Sequence, residues 1–357
     1  MNPIISVVLP CRNEKETIGQ CIQKIQKVAR NANLDIEIVI SDSSEDGSNN
    51  IAKEWGAVIV KHDTEGYGFA LKEGIKNAKG KIIVFADADD TYCFDDIPKL
   101  LKNLEGADIV MGSRLQGKIE KGAMPLLHRF LGTPLFNILL RVIFGIKVSD
   151  SQSGYRAMRK ETFLKLDLKT NGMEFATEML IKAKKLNLKI KEIPTDYFQR
   201  KGTSKLRRYR DGWAHLKYIL LQAPFAFYST FGFFFFAIGI FSLVFLNFTS
   251  LHIPNIFNSA TVKILFPIVG VQFLFFGLFA KTYLLTHFEE NNTFIKKIYS
   301  IFKLKTAISV GALLIFIPLF LKITGIEYGI FEPLLISTII GVQIIFNSII
   351  LAILSIK

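Results

Sequence analysis

Two carboxylates separated by a single residue, Asp87 and Asp89, follow an apolar run that predicts a β-strand over Lys81–Ala86. Carboxylates at positions i and i+2 of a turn can meet one metal ion, and their hard oxygen ligands suit Mg²⁺ or Mn²⁺, which in turn bind a diphosphate. Such an ion acts as a Lewis acid on a leaving nucleoside diphosphate. Because the Asp-x-Asp pattern is common, a solvated or helix-capping cluster is the alternative interpretation. The segments that accompany the pair therefore decide its meaning.

Two other polar segments occupy equivalent places after predicted strands. The sequence Pro-Cys-Arg-Asn-Glu at positions 10–14 follows the first predicted strand, and Ser41–Ser48 follows the second. Helix N-caps are the structural alternative for Asp42 and Asp46. In sheets of parallel strands, ligands bind beyond the carboxyl ends of the strands, where the strand order switches. We therefore expect these segments and Asp87 to share one site.

Short β-rich runs alternate with helical patterns in the front part of the chain. Strands are predicted at Ile4–Pro10, Ile36–Ser41, Ala57–Val60, Lys81–Ala86 and Asp108–Met111. Helices are predicted at Lys15–Ala29, Asn49–Trp55, Tyr67–Ala78 and Asp96–Leu104. This alternation predicts an α/β domain with a mostly parallel, Rossmann-like sheet that helices cover on both faces.

These segments resemble the motifs of the inverting glycosyltransferase family 2, which has the GT-A fold. The family reads Pro-x-(Tyr/Arg)-Asn-Glu, then Asp-Asp-x-Ser-x-Asp-Gly, then Asp-x-Asp. This chain departs from the pattern at Ser41, which leaves the base preference open. The resemblance implies a nucleotide-sugar site formed by Pro10, Arg12, Glu14, Asp42, Asp87 and Asp89. Within it, Asp42 would hydrogen-bond the base, while Asp87 and Asp89 would handle the ribose, the metal ion and the diphosphate.

Later motifs narrow the resemblance to polyprenyl-phosphate glycosyltransferases such as the dolichol-phosphate mannose and glucose synthases. The matching segments are Gly112–Arg114, Asp150–Arg156, Gly172–Glu178 and Arg200–Leu206. The resemblance implies an acceptor-phosphate site at Arg114, Arg200, Ser204 and Lys205. It implies a catalytic set of Asp89, Arg114, Asp150 and Arg156.

Charge explains why arginines would gather in such a site. A lipid phosphate brings negative charge beside an anionic diphosphate, and Arg114, Arg156, Arg200 and Lys205 could bind one or both groups. The phosphate oxygen is deprotonated at neutral pH, so catalysis would need positioning and charge stabilisation rather than a strong base. Asp150 and the two glutamates of Gly172–Glu178 are interpreted as organisers of sugar hydroxyls or of these arginines, with a structural salt bridge as the alternative for Glu178.

Hydropathy divides the 357 residues into a mixed front part, residues 1–224, and a tail, residues 225–357, dominated by Phe, Ile and Leu. Only eight of the 44 Lys and Arg and four of the 31 Asp and Glu lie in the tail, so the front carries +9 and the tail +4. We therefore predict a transferase domain followed by a membrane domain. A basic front fits an anionic membrane surface or a phosphate partner. Nucleic acid fits poorly, because no recognisable nucleic-acid module accompanies the charge.

Four apolar stretches are long enough to cross a bilayer. They are Phe225–Phe248, Val262–Thr286, Thr306–Ile323 and Phe331–Ile356. Lysines crowd the loop between the second and third stretches, whereas the loop from Asn247 to Ala260 has no Lys or Arg. This bias predicts a multi-pass protein of the cell membrane, with the transferase domain and both termini cytoplasmic.

Two further segments suggest contact with the membrane surface. Residues 124–147 predict two short interfacial helices, with an ordinary core-packing pair as the alternative. The basic and aromatic segment at 207–222 predicts an anchor at headgroup level. The three cysteines, Cys11, Cys21 and Cys93, all lie in the front domain and are interpreted as reduced thiols.

The predicted function is transfer of a hexose, with inversion, from a nucleotide-diphosphate sugar to a polyprenyl phosphate. A UDP-hexose is favoured over GDP-mannose as the donor, and a homo-oligomer is compatible with the sequence. A processive polysaccharide synthase is one alternative, but the chain lacks the Gln-x-x-Arg-Trp acceptor motif and its four spans look too few for a pore. A non-catalytic membrane scaffold is the other, and the intact Asp42, Asp87 and Asp89 argue against it.

Overall fold

The computed structural model describes residues 5–202, 208–248, 261–287, 304–324 and 331–354. The chain divides into two compact units, Met1–Ile219 and Leu220–Lys357. The division between them in the chain, after Ile219, lies five residues before the boundary predicted after residue 224.

The first unit is built on a seven-stranded sheet. Its strands are β1 Ile5–Cys11, β2 Ile36–Asp42, β3 Val58–Lys61, β4 Ile82–Phe85, β5 Ile109–Ser113, β6 Arg156–Arg159 and β7 Ile190–Pro194. Their spatial order is β3-β2-β1-β4-β6-β5-β7. Only β6 runs antiparallel to its neighbours, pairing with β4 on one side and β5 on the other. The predicted mostly parallel α/β sheet is confirmed.

In the ranges that the structure describes, eight α-helices belong to this unit or begin in it. They are α1 Ile18–Asn31, α2 Ser48–Glu54, α3 Tyr67–Asn77, α4 Ile97–Asn103, α5 Thr133–Phe144, α6 Lys160–Leu166, α7 Phe175–Lys185 and α8 Arg208–Gln222. The five predicted strands and four predicted helices of the front domain all appear, with ends shifted by a few residues. Strands β6 and β7 were not predicted.

The central strand β1 is buried on both faces, as expected for a parallel sheet covered by helices. Val7 and Leu9 belong to one apolar cluster and Val8 to the other, so the sheet separates two cores. Helix α1 packs onto the first cluster through Ile18, Cys21, Ile22, Ile25 and Val28. This spacing places one apolar stripe along the helix. The packing fixes the strand ends that carry the polar loops.

A helical run with an exposed apolar surface lies between β5 and β6. A π-helical turn, His128–Gly132, leads directly into α5, so the predicted pair of short helices is joined end to end. Pro134 lies in the first turn of α5, directly after the π-helical turn, and its missing N–H leaves one hydrogen bond of the joined run unmade. Large apolar side chains stay exposed along the run, at Leu126, Leu127, Phe130, Leu131, Leu135, Ile138 and Val142.

Among its described residues, the second unit contains four long apolar helices. They are α9 Pro224–Phe248, α10 Phe266–His287, α11 Leu304–Ile323 and α12 Phe331–Leu354. In the described part of the chain, four candidate membrane spans of 18 to 22 residues lie within or overlap them. The four predicted spans are therefore found by length and composition. Pro318 lies inside α11.

Glycines bring these helices close in pairs. A Cβ on Gly232 of α9 would lie 2.8 Å from the Gly270 carbonyl oxygen of α10, and one on Gly311 of α11 would lie 2.8 Å from the Gly341 carbonyl oxygen of α12. Each pair thus forms a hairpin whose backbones touch, as small residues permit in membranes.

Three side-chain amides link α10 with α12. Gln272 Oε1 accepts hydrogen bonds from Gln343 Nε2 at 3.2 Å and from Asn347 Nδ2 at 3.1 Å. We call these three residues the amide cluster. It joins the two hairpins through the middle of their apolar helices.

Candidate active site

The polar loops meet at one edge of the sheet because β1, β2 and β4 are parallel neighbours. Cys11 at the end of β1 lies opposite Asp42 at the end of β2. Strand β4 ends at Phe85, which leaves Asp87 two residues beyond it. The predicted grouping of the three post-strand segments is therefore what this topology produces.

The loops after β1 and β2 are fastened to each other. The Asn13 backbone N–H donates to Ser44 Oγ at 2.8 Å, and the Glu14 N–H donates to Ser48 Oγ at 2.9 Å. Asp46 accepts hydrogen bonds from the N–H groups of Ser48 at 3.0 Å and Lys15 at 3.2 Å. Asp46 therefore fastens the loop just before α2, whose N-cap is Gly47 and not Asp46. These hydrogen bonds hold the two loops against each other at the sheet edge.

Asp42 is held differently. Its side chain is buried, and Oδ1 accepts the Ser44 N–H at 3.2 Å. Within the described part of the chain, Oδ2 is buried without a hydrogen-bond partner. An unmatched buried carboxylate oxygen is costly, so it suits a ligand that supplies a donor, such as a nucleobase N–H. The geometry fits the base-binding expectation for Asp42.

Pro10 and Arg12 border the same edge. Pro10 is the penultimate residue of β1 and is only partly exposed. The exposed Arg12 side chain reaches Glu65 in the loop after β3, with Nη2 2.5 Å from Oε1. Pro10 lies opposite Ser41 in the sheet register, next to Asp42, and a role of Pro10 and Arg12 at a nucleoside stays a prediction.

Burial dominates the environment of Asp87. Burial first, and the neighbouring Asp89 carboxylate second, raise the pKa of Asp87 to about 7, while Arg114 and Arg200 act in the opposite direction. Gly154 packs against this group, since a Cβ there would lie 2.7 Å from Tyr67 Oη and 3.1 Å from Asp87 Oδ1. The absence of a side chain at position 154 therefore keeps room beside the carboxylate.

Asp89 uses both of its carboxylate oxygens. Oδ1 accepts the Thr91 hydroxyl at 2.6 Å and the Thr91 N–H at 3.3 Å. Oδ2 accepts Arg200 Nη1 at 2.8 Å. The next residue, Asp90, adopts the left-handed backbone conformation with φ 63° and pairs with Lys24 at 2.5 Å. The turn is thus a tightly organised acidic corner.

Two carboxylates fit a Mg²⁺ or Mn²⁺ ion that takes its remaining ligands from phosphate and water. Among the residues that the structure describes, no group of three or more His, Cys, Asp or Glu could hold a metal by themselves. A closed all-protein metal cage is therefore not found in those ranges. Asp87 and Asp89 together suit an ion that arrives with a diphosphate.

Arg114 and Asp150 form a buried bidentate pair. Arg114 Nε and Nη2 donate to the two Asp150 oxygens at 2.7 and 2.8 Å, and the Arg114 N–H adds a contact of 3.0 Å. Glu192 of β7 accepts the Asp150 N–H at 3.0 Å, and the Arg114 guanidinium lies 5.2 Å from the Tyr197 ring centroid. Asp150 thus organises an arginine, one of its two expected roles. Nη1 of Arg114 lies outside the bidentate pair.

Arg156 requires a correction. Its side chain is fully buried, and it donates to the carbonyl oxygens of Ser153 at 3.0 Å, Ala176 at 3.0 Å and Ser151 at 3.1 Å. Burial lowers its pKa to about 10. Direct contact with a phosphate does not fit this geometry, because the guanidinium is buried and each of its three nitrogens donates to a backbone carbonyl. Arg156 instead ties the loop after α5 to the start of α7.

Arg200 also lies elsewhere than expected. Its guanidinium bridges Glu14 and Asp89, with Nη2 paired to Glu14 Oε1 and Nη1 to Asp89 Oδ2. Arg200 therefore contacts two residues predicted to bind the nucleotide sugar, Glu14 and Asp89. The other two predicted acceptor residues, Ser204 and Lys205, lie outside the described residues.

The two glutamates of Gly172–Glu178 have local roles. Glu178 Oε2 accepts the Thr170 N–H at 2.8 Å and the Thr170 hydroxyl at 2.6 Å, and Glu178 pairs with Lys182 at 2.9 Å. Glu174 Oε1 accepts the Gly172 N–H at 3.4 Å. The structural alternative for Glu178 is thus the one observed.

Several supporting residues escaped the sequence reasoning. Lys24 and Lys201 both pair with Asp90, Tyr67 packs beside Asp87, and Glu192 positions Asp150. A lysine on an amphipathic helix carries no signal that distinguishes it from a solvated charge. Glu192 lies in a strand that was not predicted, so nothing placed it near Asp150.

Comparisons with known proteins agree with this geometry. The model of the family "Glycosyl transferase family 2" matches residues 6–166. The low-salt glycan biosynthesis hexosyltransferase Agl6 of Haloferax volcanii is 37% identical over 78% of this chain and 68% of its own length. A dolichyl-phosphate hexose transferase of the same organism is 32% identical over 59% of this chain and 90% of its own. A dolichol-phosphate mannosyltransferase of Pyrococcus furiosus is 31% identical over 57% and 59%. The chain belongs to glycosyl transferase family 2.

Proposed function

We propose that the protein transfers a hexose from a nucleotide-diphosphate sugar to a polyprenyl phosphate with inversion, using Mg²⁺ or Mn²⁺. The supporting observation is that three carboxylates suited to a nucleotide and a cation, Asp42, Asp87 and Asp89, share one sheet edge with a partly buried arginine, Arg114, which Asp150 holds. Relatives named as a dolichyl-phosphate hexose transferase and a dolichol-phosphate mannosyltransferase support the same acceptor class.

The donor occupies the edge formed by β1, β2 and β4. Asp42 Oδ2 accepts an N–H of the base, and Arg12 and Glu14 border the nucleoside. Asp87 and Asp89 would hold the divalent cation, which would neutralise charge on the departing diphosphate. We favour a UDP-hexose, with GDP-mannose second.

The acceptor phosphate supplies the nucleophile. One of its oxygens forms a bond to the anomeric carbon while the bond from that carbon to the diphosphate oxygen breaks, and both electrons of the broken bond leave with the nucleoside diphosphate. Attack from the opposite face inverts the configuration. The phosphate oxygen is already deprotonated, so no side chain needs to remove a proton. Arg114 donates from Nη1 to a phosphate oxygen while Asp150 holds the other edge of the guanidinium.

The lipid acceptor explains the apolar helices. Four candidate spans support a protein of the cell membrane, and we propose that the transferase domain and both termini are cytoplasmic. The exposed apolar run 126–142 and the basic helix α8, with Trp213 exposed, suit the headgroup region of a bilayer. The lysine-rich loop at 296–303 that motivates the orientation lies outside the described residues.

A donor and acceptor panel tests this function. The purified full-length chain in detergent is given labelled UDP-glucose, UDP-N-acetylglucosamine or GDP-mannose, each with a short polyprenyl phosphate and Mn²⁺. We expect one donor to give a charged glycolipid whose anomeric configuration, measured by NMR, is opposite to that of the donor.

Asp89→Asn is the matched negative control, because it keeps the side-chain shape and the Thr91 contacts while removing a charge from the proposed cation site. Chelation of Mn²⁺ should abolish transfer equally. Retention of configuration, or full turnover by Asp89→Asn, contradicts the mechanism. Transfer only to a growing sugar polymer would favour the processive alternative.

A further inference from the structure

Arg200 makes its ion pairs with acidic groups of the proposed donor site. The guanidinium lies between Asp89 Oδ2, 2.8 Å from Nη1, and Glu14 Oε1, which pairs with Nη2. Asp89 is almost completely buried, and Arg200 is only one-quarter exposed. Solvent therefore screens this cluster weakly, and each of its charges strongly influences the others.

Asp89 cannot serve Arg200 and a divalent cation without a conflict. Its Oδ1 is committed to Thr91, through the hydroxyl at 2.6 Å and the N–H at 3.3 Å. A cation bound by Asp89 therefore has to approach Oδ2, where the Arg200 guanidinium already donates. Two positive charges at one carboxylate oxygen repel each other, and low exposure strengthens that repulsion. The arginine and the cation compete for the same oxygen.

Arg200 also has an unused donor. Its Nε is buried and, within the described part of the chain, has no hydrogen-bond partner. A buried donor without an acceptor is costly. Arginine forks match phosphate oxygens well, so a diphosphate could accept from Nε and from the nitrogens released by Asp89.

The backbone that carries Arg200 is anchored on both sides of the residue. The Phe198 N–H donates to the Thr91 carbonyl at 2.9 Å, and the Gln199 N–H donates to Glu120 Oε2 at 2.8 Å. Lys201 Nζ donates to Gln20 Oε1 at 2.6 Å. An exchange of partners by Arg200 therefore needs only a rotation of its side chain, and no displacement of the strand-like segment.

We propose that Arg200 is an exchangeable cation of the donor site. It neutralises Asp89 and Glu14 until the divalent cation and the diphosphate bind, and it then transfers its hydrogen bonds to the diphosphate. The inference deepens the proposed function and rests on it. It gives Arg200 a role in the order in which ligands bind. A cation that binds alone must displace the arginine, whereas a cation that binds with a diphosphate gives the arginine a new partner.

Equilibrium binding tests the exchange without any turnover. Mn²⁺ binding to the full chain in detergent is measured by electron paramagnetic resonance, first without nucleotide. Binding of UDP and of GDP is then titrated at saturating Mn²⁺, with no lipid present. We expect Arg200→Gln to tighten Mn²⁺ binding about tenfold and to weaken binding of the preferred nucleoside diphosphate about tenfold, each change corresponding to ~1.4 kcal/mol.

Lys201→Gln is the matched control. It removes a positive charge from the adjacent residue, which pairs with Asp90 at 3.4 Å and lies in the same anchored segment. We expect less than about a twofold change in either affinity, because the Lys201 ammonium is 54% exposed and lies 3.4 Å from Asp90, which Lys24 also pairs with at 2.5 Å. Arg200→Lys keeps the charge and loses the fork, so its Mn²⁺ affinity should lie between those of the wild type and Arg200→Gln. It also provides a test if Arg200→Gln does not fold.

The opposite signs identify the exchange. If Arg200→Gln weakens both ligands, Arg200 is a fixed structural or phosphate-binding group and the proposal is wrong. If it tightens both, the transfer to the diphosphate is wrong. A wild-type chain that binds no Mn²⁺, even with UDP or GDP, overturns both this inference and the metal part of the proposed function. The changes in Mn²⁺ affinity and nucleotide affinity could have opposite signs while no donor and acceptor in the panel give product. That outcome would retain the exchange and reject only the acceptor assignment.

Discussion

At the scale of single residues, the site compensates nearly every buried charge. Asp150 is matched by Arg114, Asp89 by Arg200, and the Arg156 guanidinium by three carbonyl oxygens. Burying an uncompensated charge costs several kcal/mol or shifts its pKa, which explains these pairings. Asp42 Oδ2 departs from this pattern within the described part of the chain. A ligand that donates a hydrogen bond to Asp42 Oδ2 would supply the missing partner.

Replacing Asp42 by Asn tests that interpretation. The amide can keep an oxygen for the Ser44 N–H, which Oδ1 accepts at 3.2 Å, and it then places an NH₂ donor where Oδ2 lies. A charge-assisted hydrogen bond contributes ~1.5–3 kcal/mol, so binding of the preferred nucleoside diphosphate should weaken roughly 10- to 100-fold. Turnover at saturating donor should change much less. Isothermal titration with UDP and GDP, and kinetics at saturating donor, measure the two quantities.

Asp46→Asn serves as the comparison, because Asp46 holds the same loop through Ser48 and Lys15, and in the described part of the chain it has no buried oxygen without a hydrogen-bond partner. Equal losses in the two variants would mean that Asp42 acts only on loop structure. An unchanged nucleotide affinity in Asp42→Asn would remove Asp42 from the base site.

At the scale of elements, helix α7 connects the active-site loops with the basic helix α8. Its Ala176 carbonyl accepts Arg156, and Thr177 Oγ1 lies 2.7 Å from Nδ1 of the buried His215 on α8. Ile219, one turn further along α8, is also buried. Helix α8 is therefore docked on the transferase unit through a polar contact as well as an apolar one.

The docking of α8 should weaken as the pH falls. Burial first, and the Arg156 charge second, lower the pKa of His215 from 6.5 to about 4. A depressed histidine pKa means that the docked state binds fewer protons than the undocked state between these two values. Stability is thus complete above pH 6.5 and is lost toward pH 4, by about 2 kcal/mol between pH 7 and pH 5.

Hydrogen exchange over residues 208–222, corrected for intrinsic rates, measures this loss. Protection should fall about 20- to 30-fold from pH 7 to pH 5. In His215→Gln, which can still bond Thr177 but does not titrate, most of that difference should vanish. The same pH dependence in both proteins would show that another group is responsible.

Sequence reasoning located the elements whose apolar runs are long, and it missed those whose signal is tertiary. Strand β6 reads Arg-Ala-Met-Arg, and β7 alternates Ile with Lys and Glu, so neither has an uninterrupted apolar run. The insertion of β6 between β4 and β5 cannot be inferred from chain order. For the site, the carboxylates were found because each follows a strand. The partners of Arg200 were not, because Asp89 and Glu14 lie 111 and 186 residues away in sequence. Those of Arg156 were not, because they are backbone carbonyl groups, which every residue carries.

At the scale of the whole molecule, the apolar unit is stabilised by two kinds of contact. Close glycine contacts form the α9–α10 and α11–α12 hairpins, and the amide cluster joins α10 to α12. Apolar packing provides little preference for one partner helix in lipid, because lipid tails are equally apolar. The amides therefore supply specificity of pairing where a hydrophobic force is weak.

Gln272→Leu should reduce the stability of that pairing. The substitution removes the oxygen that accepts from both Gln343 and Asn347. Amide hydrogen bonds between membrane helices are worth ~0.6–2 kcal/mol, so the free energy of unfolding in an SDS titration should fall by about 1–2 kcal/mol. Ser348→Ala is the control, since the buried Ser348 hydroxyl has no partner in the described ranges and its loss should be neutral or slightly stabilising. A Gln272→Leu variant as stable as Ser348→Ala would show that glycine packing suffices.

The position of β6 in the sheet has a consequence for the synthesis of the protein on the ribosome. Strand β4 pairs with β1 on one side and with β6 on the other. Strand β6 begins at Arg156, and 70 residues separate Phe85 from that position. At about 5–20 residues per second, the β4 edge waits roughly 4–14 s with unpaired backbone groups. Strand β7 follows later still, and the apolar helix α9 begins only 30 residues after Pro194. The last strand of the sheet is therefore made shortly before the first membrane helix, and the β4 edge stays without its second partner only during synthesis of the residues before β6.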